Sequence, residues 1–332
     1  MKILSKIALS ALTAVLLVGV AFSLCASAEE SEIYTYGDMS YVTLSPYEVS
    51  IVDCAETAKG EIRIPITIDN KAVVSIADGA FEGCTSLESV VMEGIIFKVG
   101  DRAFAGCTSL VSVVDDNEVR AIGDEAFAGC SALERVVLGE KLETIGARAF
   151  DSCESLKEIN IPNSVDSIGE YAFFRCYAAE KVTLGIGVKN IGAHAFDSCK
   201  GMKSLFVSYG TETIGDFAFN LCSSLETVTL PAGEIAIAEN AFRNCNSIIS
   251  ICVPDRTDAY EYAERLSLPV DVITDDADGD GSLTNADIVM LVRHLAGLGS
   301  ITGNPLKHDV YTDGRFNNRD VLCCIQTLAG WN

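Results

Sequence analysis

The chain has 332 residues, enough for two or three domains, and carries 47 acidic against 24 basic side chains for a formal charge of −23. That excess repels nucleic-acid phosphates and anionic lipid headgroups, and so argues against both as partners. Thirteen cysteines and only three histidines leave one compositional question, whether the sulfur serves disulfides, metal or packing.

The first predicted element is a targeting segment. Lys2 and Lys6 give a basic start, Ile7 to Phe22 is almost wholly apolar, and Ala26-Ser27-Ala28 has the small-x-small form that signal peptidase accepts. Residues 1–28 are therefore read as a signal peptide cleaved after Ala28, which makes the protein secreted. No later stretch is long and apolar enough for membrane insertion. Residues 29–71 are rich in Tyr, Val, Thr and Ile and are expected to form a β-rich N-terminal cap.

From residue 72 a period of 23 residues takes over. Phe81, Phe104, Phe127, Phe150, Phe173, Phe196, Phe219 and Phe242 keep it without an insertion, as do Cys84, Cys107, Cys130, Cys153, Cys176, Cys199, Cys222 and Cys245. Five positions before each phenylalanine stands Ile76, Val99, Ile122, Ile145, Ile168, Ile191, Ile214 or Ile237. The cleanest unit reads Leu156-x-x-Ile159-x-Ile161-Pro162-x-x-Val165-x-x-Ile168-Gly169-x-x-Ala172-Phe173-x-x-Cys176. Ile159 and Ile161 alternate with polar neighbours, the period of a half-buried strand, and Pro162 ends it because it has no N–H for a ladder. Ala-Phe-x-x-Cys is short and predicts a turn or one helical turn. A single unit cannot bury its apolar face, so the units must stack into a solenoid with a parallel ladder. At about 4.8 Å per strand, eight rungs span roughly 40 Å.

Over residues 72–254 this pattern resembles the BspA-like, treponemal-type leucine-rich repeats of bacterial surface proteins. The resemblance implies an α/β fold class: a leucine-rich-repeat solenoid with a parallel β ladder of eight 23-residue repeats. Residues 257–266 look like a capping helix, so that solenoid and cap together take residues 72–273. In this family the exposed ladder face often binds the ligand. The row between the buried strand positions is Val91, Val114, Val137, Asn160, Thr183, Phe206 and Thr229, continuing to Cys252. A second exposed row runs from Ser89 through Ser112, Arg135, Glu158, Lys181, Ser204 and Thr227 to Ser250. The apolar start of the first row and Phe206 mark a partner site, or reflect only the strand preference of β-branched residues. The ligand is a protein or a polysaccharide; few aromatic platforms line the rows, which favours protein. The repeat cysteines fit a metal or redox array less well than a stack of buried, reduced thiols, with inter-rung disulfides left open.

After Pro269 the period ends and acids cluster. Asp276, Asp278, Asp280, Thr284 and Asp287 occupy the first, third, fifth, ninth and twelfth places of a loop with Gly281 at the sixth. That spacing converges oxygen donors on one Ca2+ ion, with the Ser282 carbonyl at the seventh place. The amphipathic stretch Ile288 to Gly297 follows. The unit recurs 33 residues on, with Asp309, Asp313, Gly314, Asn317 and Asp320, with Arg315 at the seventh place and with Val321 to Gly330. Tyr311 replaces an oxygen-rich side chain at the third place, which weakens the second site. Two loop–helix halves in residues 274–332 resemble a type I-like dockerin, a small all-α calcium-binding module. The resemblance implies calcium-dependent docking to a cohesin module of a scaffoldin, and a place in a cellulosome-like complex at or near the cell surface. The tenth and eleventh loop positions and a helix position would meet the cohesin: Asn285, Ala286 and Arg293 in one half, Asn318, Arg319 and Gln326 in the other. Cys323 and Cys324 take places of helix core residues and read as thiols packed inside.

His194, His294 and His308 stand in no arrangement with a nucleophile and a carboxylate. The reading is a non-catalytic binding or adhesion protein. The alternative is a cellulosomal enzyme or enzyme inhibitor acting in polysaccharide degradation, with its site in residues 29–71 or on the ladder face.

Overall fold

The computed structural model describes residues 32–272 apart from 116–117, 209, 232–233, 249 and 254–257. The signal peptide and the calcium module read from the sequence lie outside the described residues.

An apolar side chain every 23 residues reaches the same inward column because the chain closes one turn of a β-solenoid in that distance. Each rung carries two short strands rather than the one that the alternation predicts. The broader strands include Leu87–Met92, Ser112–Asp115, Arg135–Val137, Glu158–Asn160, Lys181–Thr183, Ser204–Phe206 and Thr227–Thr229. They form the first ladder, which is parallel and comes in three pieces, with breaks after Arg135–Val137 and after Lys181–Thr183. The second ladder uses two-residue strands such as Lys98–Val99 and Ser167–Ile168, and it is continuous from Lys71–Ile76 to Ala236–Ile237. It sets Val99, Ile122, Ile145, Ile168, Ile191, Ile214 and Ile237 in register. A β-branched residue suits this short pleated contact. Parallel stacking begins before residue 72, since Gly60–Ile64 pairs with Leu87–Met92 and Glu48–Cys54 with Lys71–Ile76.

The turn that carries Ala-Phe-x-x-Cys corrects the α/β expectation. No helix forms there; the described chain is a β-solenoid of about eight turns, mostly strands, with one helix. The cause is local. The residue before Ala holds a left-handed conformation in rung after rung, with φ of 55° at Arg102, Glu125 and Arg148, 58° at Tyr171 and 56° at His194. A second left-handed residue precedes each Cys, for example Gly106 or Ser152. Left-handed residues cannot continue a right-handed helix. They turn the amides along the solenoid axis instead. The Phe127 N–H donates to the Ala149 carbonyl at 2.7 Å, and the Phe150 N–H to that of Ala172 at 2.7 Å. The turns therefore hydrogen-bond from rung to rung as the strands do, which satisfies buried amides without a helix.

The phenylalanine column is the spine of the core. Phe81 to Phe219 are almost fully buried, and their rings stack at 4.7 Å between Phe81 and Phe104 and at 5.3 Å between Phe196 and Phe219. Such pairs add about 0.5–1.5 kcal/mol each beyond area burial. The helix Asp258–Arg265 closes the C-terminal end as the sequence anticipates. It buries Ala259, Tyr262 and Ala263, and the Tyr262 ring meets Phe242 edge-on at 6.3 Å. At the other end Ile33–Tyr36, Met39–Ser45 and Glu48–Cys54 form an antiparallel meander over the first rung.

Candidate functional site

The first ladder brings the anticipated row together by register: Val91 beside Val114 and Val137, Asn160 beside Thr183, and Phe206 beside Thr229. Val114, Asn160 and Thr183 are exposed, while Val91, Val137 and Phe206 are half-buried. Thr229 departs from the expectation. It is only 3% exposed, a short side chain set in register beside the much larger Phe206. Its hydroxyl has no hydrogen-bond partner among the described residues.

Charges on this face are neutralised between rungs. Lys157 meets Glu134 at 2.6 Å and Lys181 meets Glu158 at 2.6 Å, each pair 23 residues apart. The Lys181 ammonium beside Glu158 holds that carboxyl below the usual carboxylate range. Pairs of the same spacing, Lys141 with Glu118 and Lys189 with Asp166, occur away from the row. Exposed pairs of this kind are worth about 0.2–1 kcal/mol each. Their greater effect is to favour one rung register over a slipped one.

At the first ladder break the face opens. The inward residue of the strand is buried in seven rungs, from Val90 and Val113 to Ile251, but Val136 is half-exposed. Leu138 is half-exposed too, where Met92, Ile161 and Val207 are buried. Pairing lapses at the same place. The Ile161 N–H donates to the Thr183 carbonyl at 2.8 Å and the Val207 N–H to that of Thr229 at 2.9 Å, but Leu138 makes no such bond to Asn160. The result is a cleft of about 550 Å³ lined by Arg135, Val136, Leu138, Lys157, Glu158 and Asn160 among others.

One column was not legible as a feature in the sequence. On the turn face, His194 stacks between Tyr171 at 4.4 Å and Phe217 at 5.0 Å, and the Arg148 guanidinium covers Tyr171 at 4.2 Å. His194 Nδ1 is 2.8 Å from the buried Asp197 carboxylate, which also accepts from Asn220 Nδ2 at 3.1 Å. The left-handed backbone aligns these three rings, and only the 23-residue spacing of Tyr171, His194 and Phe217 hinted at it. Inside, the nine described cysteines are all buried and unbridged. The thiols from Cys107 to Cys245 donate to the carbonyl of the preceding rung's phenylalanine, Cys107 to Phe81 at 3.1 Å and Cys153 to Phe127 at 3.3 Å. Burial pushes the Cys153, Cys176 and Cys199 thiols up from their ordinary range.

Among the described residues no group of three His, Cys, Asp or Glu side chains is placed to hold a metal ion, and no helix is long and apolar enough to cross a membrane. The calcium ligands read from the sequence, the cohesin-facing residues, Cys323, Cys324, His294 and His308 lie outside the described residues.

Stacked 23-residue rungs with a parallel ladder and a buried phenylalanine column define a leucine-rich-repeat β-solenoid. Residues 61–180 and 167–263 match the family described as BspA type Leucine rich repeat region, in six copies. That match covers more than half of the chain, and the chain belongs to this family. Residues 274–329 match the Dockerin type I domain. The fold is similar to that of a leucine-rich-repeat protein of T. pallidum, at 27% identity and a TM-score of 0.53 over 72% of this chain and 98% of that one. A leucine-rich-repeat protein from Bacteroides ovatus matches at 23% identity and a TM-score of 0.49 over 66% of this chain and 70% of that one. A leucine-rich cell surface protein from Faecalibacterium prausnitzii matches at 18% identity and a TM-score of 0.35 over 77% of this chain and 98% of that one. No curated protein matches significantly.

Proposed function

We propose that this is a secreted, non-catalytic binding protein that presents a leucine-rich-repeat surface from a cellulosome-like complex, held there by calcium-dependent docking to a cohesin. One observation carries the reading: a Dockerin type I match directly follows a BspA-type repeat region in the same chain. The donor set fits the ion. Asp276, Asp278, Asp280, Thr284 and Asp287 with the Ser282 carbonyl offer only oxygen, which a hard cation prefers. Asp309, Asp313, Asn317 and Asp320 with the Arg315 carbonyl offer a poorer second set because of Tyr311. Bound calcium would order the loops, and the helix faces bearing Asn285, Ala286 and Arg293, or Asn318, Arg319 and Gln326, would meet the cohesin. The row from Val91 to Phe206 would take the ligand, with a protein favoured over a polysaccharide because few aromatic side chains line it.

The test is the full secreted chain passed over a panel of immobilised type I cohesins, with calcium and with chelator. Binding to at least one cohesin that chelator abolishes is the expected result. Binding to none, or binding indifferent to chelator, would overturn the docking assignment.

A further inference from the structure

The opening at the first ladder break is a built feature of the face, and it has the chemistry of a small-ligand site. We infer that it binds an apolar anion, an aliphatic or aromatic body carrying one carboxylate or sulfonate; the inference rests on the reading of the first ladder as the ligand face.

Its floor is apolar and its mouth polar. Val136, Val137 and Leu138 line both the cleft of about 550 Å³ and a small void of about 10 Å³ behind it, whose other walls include Phe127, Ile122 and Leu142. Cleft volumes of about 300–1,000 Å³ are typical of small-ligand sites. The void is walled by carbon and too small to hold more than about one water, so an apolar group entering the cleft displaces no well-bonded solvent from it. The cleft cannot widen to admit a whole strand. On the far side of the same rungs Phe127 and Phe150 stay stacked at 5.1 Å, and Thr144–Ile145 stays paired with Ser167–Ile168. The rungs are splayed only at the ladder edge, which shapes a wedge for a side chain or a small molecule.

Charge selects the anion. The acids Glu134 and Glu158 on the rim are already neutralised by Lys157 and Lys181. Arg135 is exposed and makes no direct ion pair among the described residues, although its charge adds to that of Lys181 in holding Glu158 down. The Leu138 N–H, which makes no backbone hydrogen bond among the described residues, adds a main-chain donor. A guanidinium and a free amide beside an apolar floor suit a carboxylate attached to a hydrophobic body. Glu140, at the other end of the lining and also without an ion-pair partner among the described residues, repels the anion from that end and so fixes the ligand's direction.

The probe is anilinonaphthalene sulfonate, an aromatic body with one fixed anion, titrated by fluorescence into the full chain in calcium. Three single variants at exposed positions accompany it: Arg135→Gln removes the cation, Asn160→Phe fills the mouth, and Thr183→Phe places the same ring one rung away, outside the cleft lining. Thermal melting checks that each keeps the fold. The expected result is one saturable site, weakened roughly tenfold or more by Arg135→Gln, the loss of one charge-assisted hydrogen bond. Asn160→Phe should abolish the site and Thr183→Phe should leave it unchanged. No saturable site in the parent, an Arg135→Gln variant that titrates like the parent, or equal loss in Thr183→Phe would each overturn the assignment. Failure of cohesin docking leaves this titration unaffected. A protein ligand mapped elsewhere on the row, with no dye site, would remove the cleft and keep the ligand face.

Discussion

Each repeat cysteine does two jobs with one small side chain. It fills the core beside the phenylalanine column, and its thiol donates to a carbonyl of the preceding rung, as Cys176 does to Phe150 at 3.4 Å. Alanine would fill less space and leave that carbonyl with one donor fewer. Burial raises the pKa of Cys153, Cys176 and Cys199 above the ordinary thiol value, so the neutral thiol is the folded form. In the unfolded chain these thiols ionise near about pH 8.5. Above that pH the unfolded state sheds protons that the folded state keeps. Their contribution to stability is therefore fully present below about pH 8.5, and above it is lost by up to about 1.4 kcal/mol per pH unit for each thiol. Denaturant unfolding in reductant, from about pH 7 to about pH 10, should show this alkaline loss, and Cys153→Ala should remove one thiol's share of the slope. A Cys153→Ala variant with the parent's full slope would show that the buried thiols do not set it.

At the scale of the rung, much was legible because the stack demands identical geometry at identical positions. The inward columns of Phe, Ile and Cys repeat every 23 residues for that reason, and the structure buries them except Ile237, which is half-buried. The capping helix was legible from residues 257–266, and the register of the ladder row from strand alternation. Three features were not. The turn between Gly169 and Cys176 takes its form from left-handed residues such as Tyr171 and Arg175, whose identities do not announce that conformation as glycine would. The burial of Thr229 depends on its neighbour one rung away. The cleft at Val136 occurs in a strand, Arg135–Val137, whose residues are as β-prone as those of the intact rung before it. Tertiary pairing decides all three, and local pattern carries no record of it.

Two substitutions test the rung as a unit. Phe150→Ala removes a fully buried ring and both of its stacking partners, so it should cost roughly 3–5 kcal/mol, and the loss should spread to adjacent rungs. An unchanged melting curve would mean that the phenylalanine column does not hold the rungs together. Gly169→Ala is the sharper probe. A Cβ there would lie 2.5 Å from the Gly146 carbonyl carbon, backbone that cannot move without parting the second ladder. Alanine at an unstrained glycine site usually stabilises by about 0.4–1 kcal/mol, so clear destabilisation is the expected outcome and a raised melting temperature the contrary one.

The whole molecule joins two kinds of stability. The solenoid gains its free energy from nearest-neighbour rungs, and its ends are closed by its own meander and helix. Nothing in that arrangement calls for a metal ion. The C-terminal region carries the proposed calcium site: its sequence clusters the carboxylates of Asp276, Asp278, Asp280 and Asp287, which repel one another without a cation, so on this reading metal binding and ordering are one process. The two parts should therefore respond separately to calcium. Replacing Asp276 and Asp280 together with Ala takes two of the charged donors from the complete loop. Calorimetric titration of the full chain should then lose its tighter calcium site and retain at most the weaker one that Tyr311 compromises. Cohesin binding should fall with it, while the solenoid's thermal transition stays where it was with calcium and with chelator. Survival of the tighter site would refute the ligand assignment. A solenoid transition that shifts with chelator would show that the repeats lean on the calcium module, contrary to a chain built of independent parts.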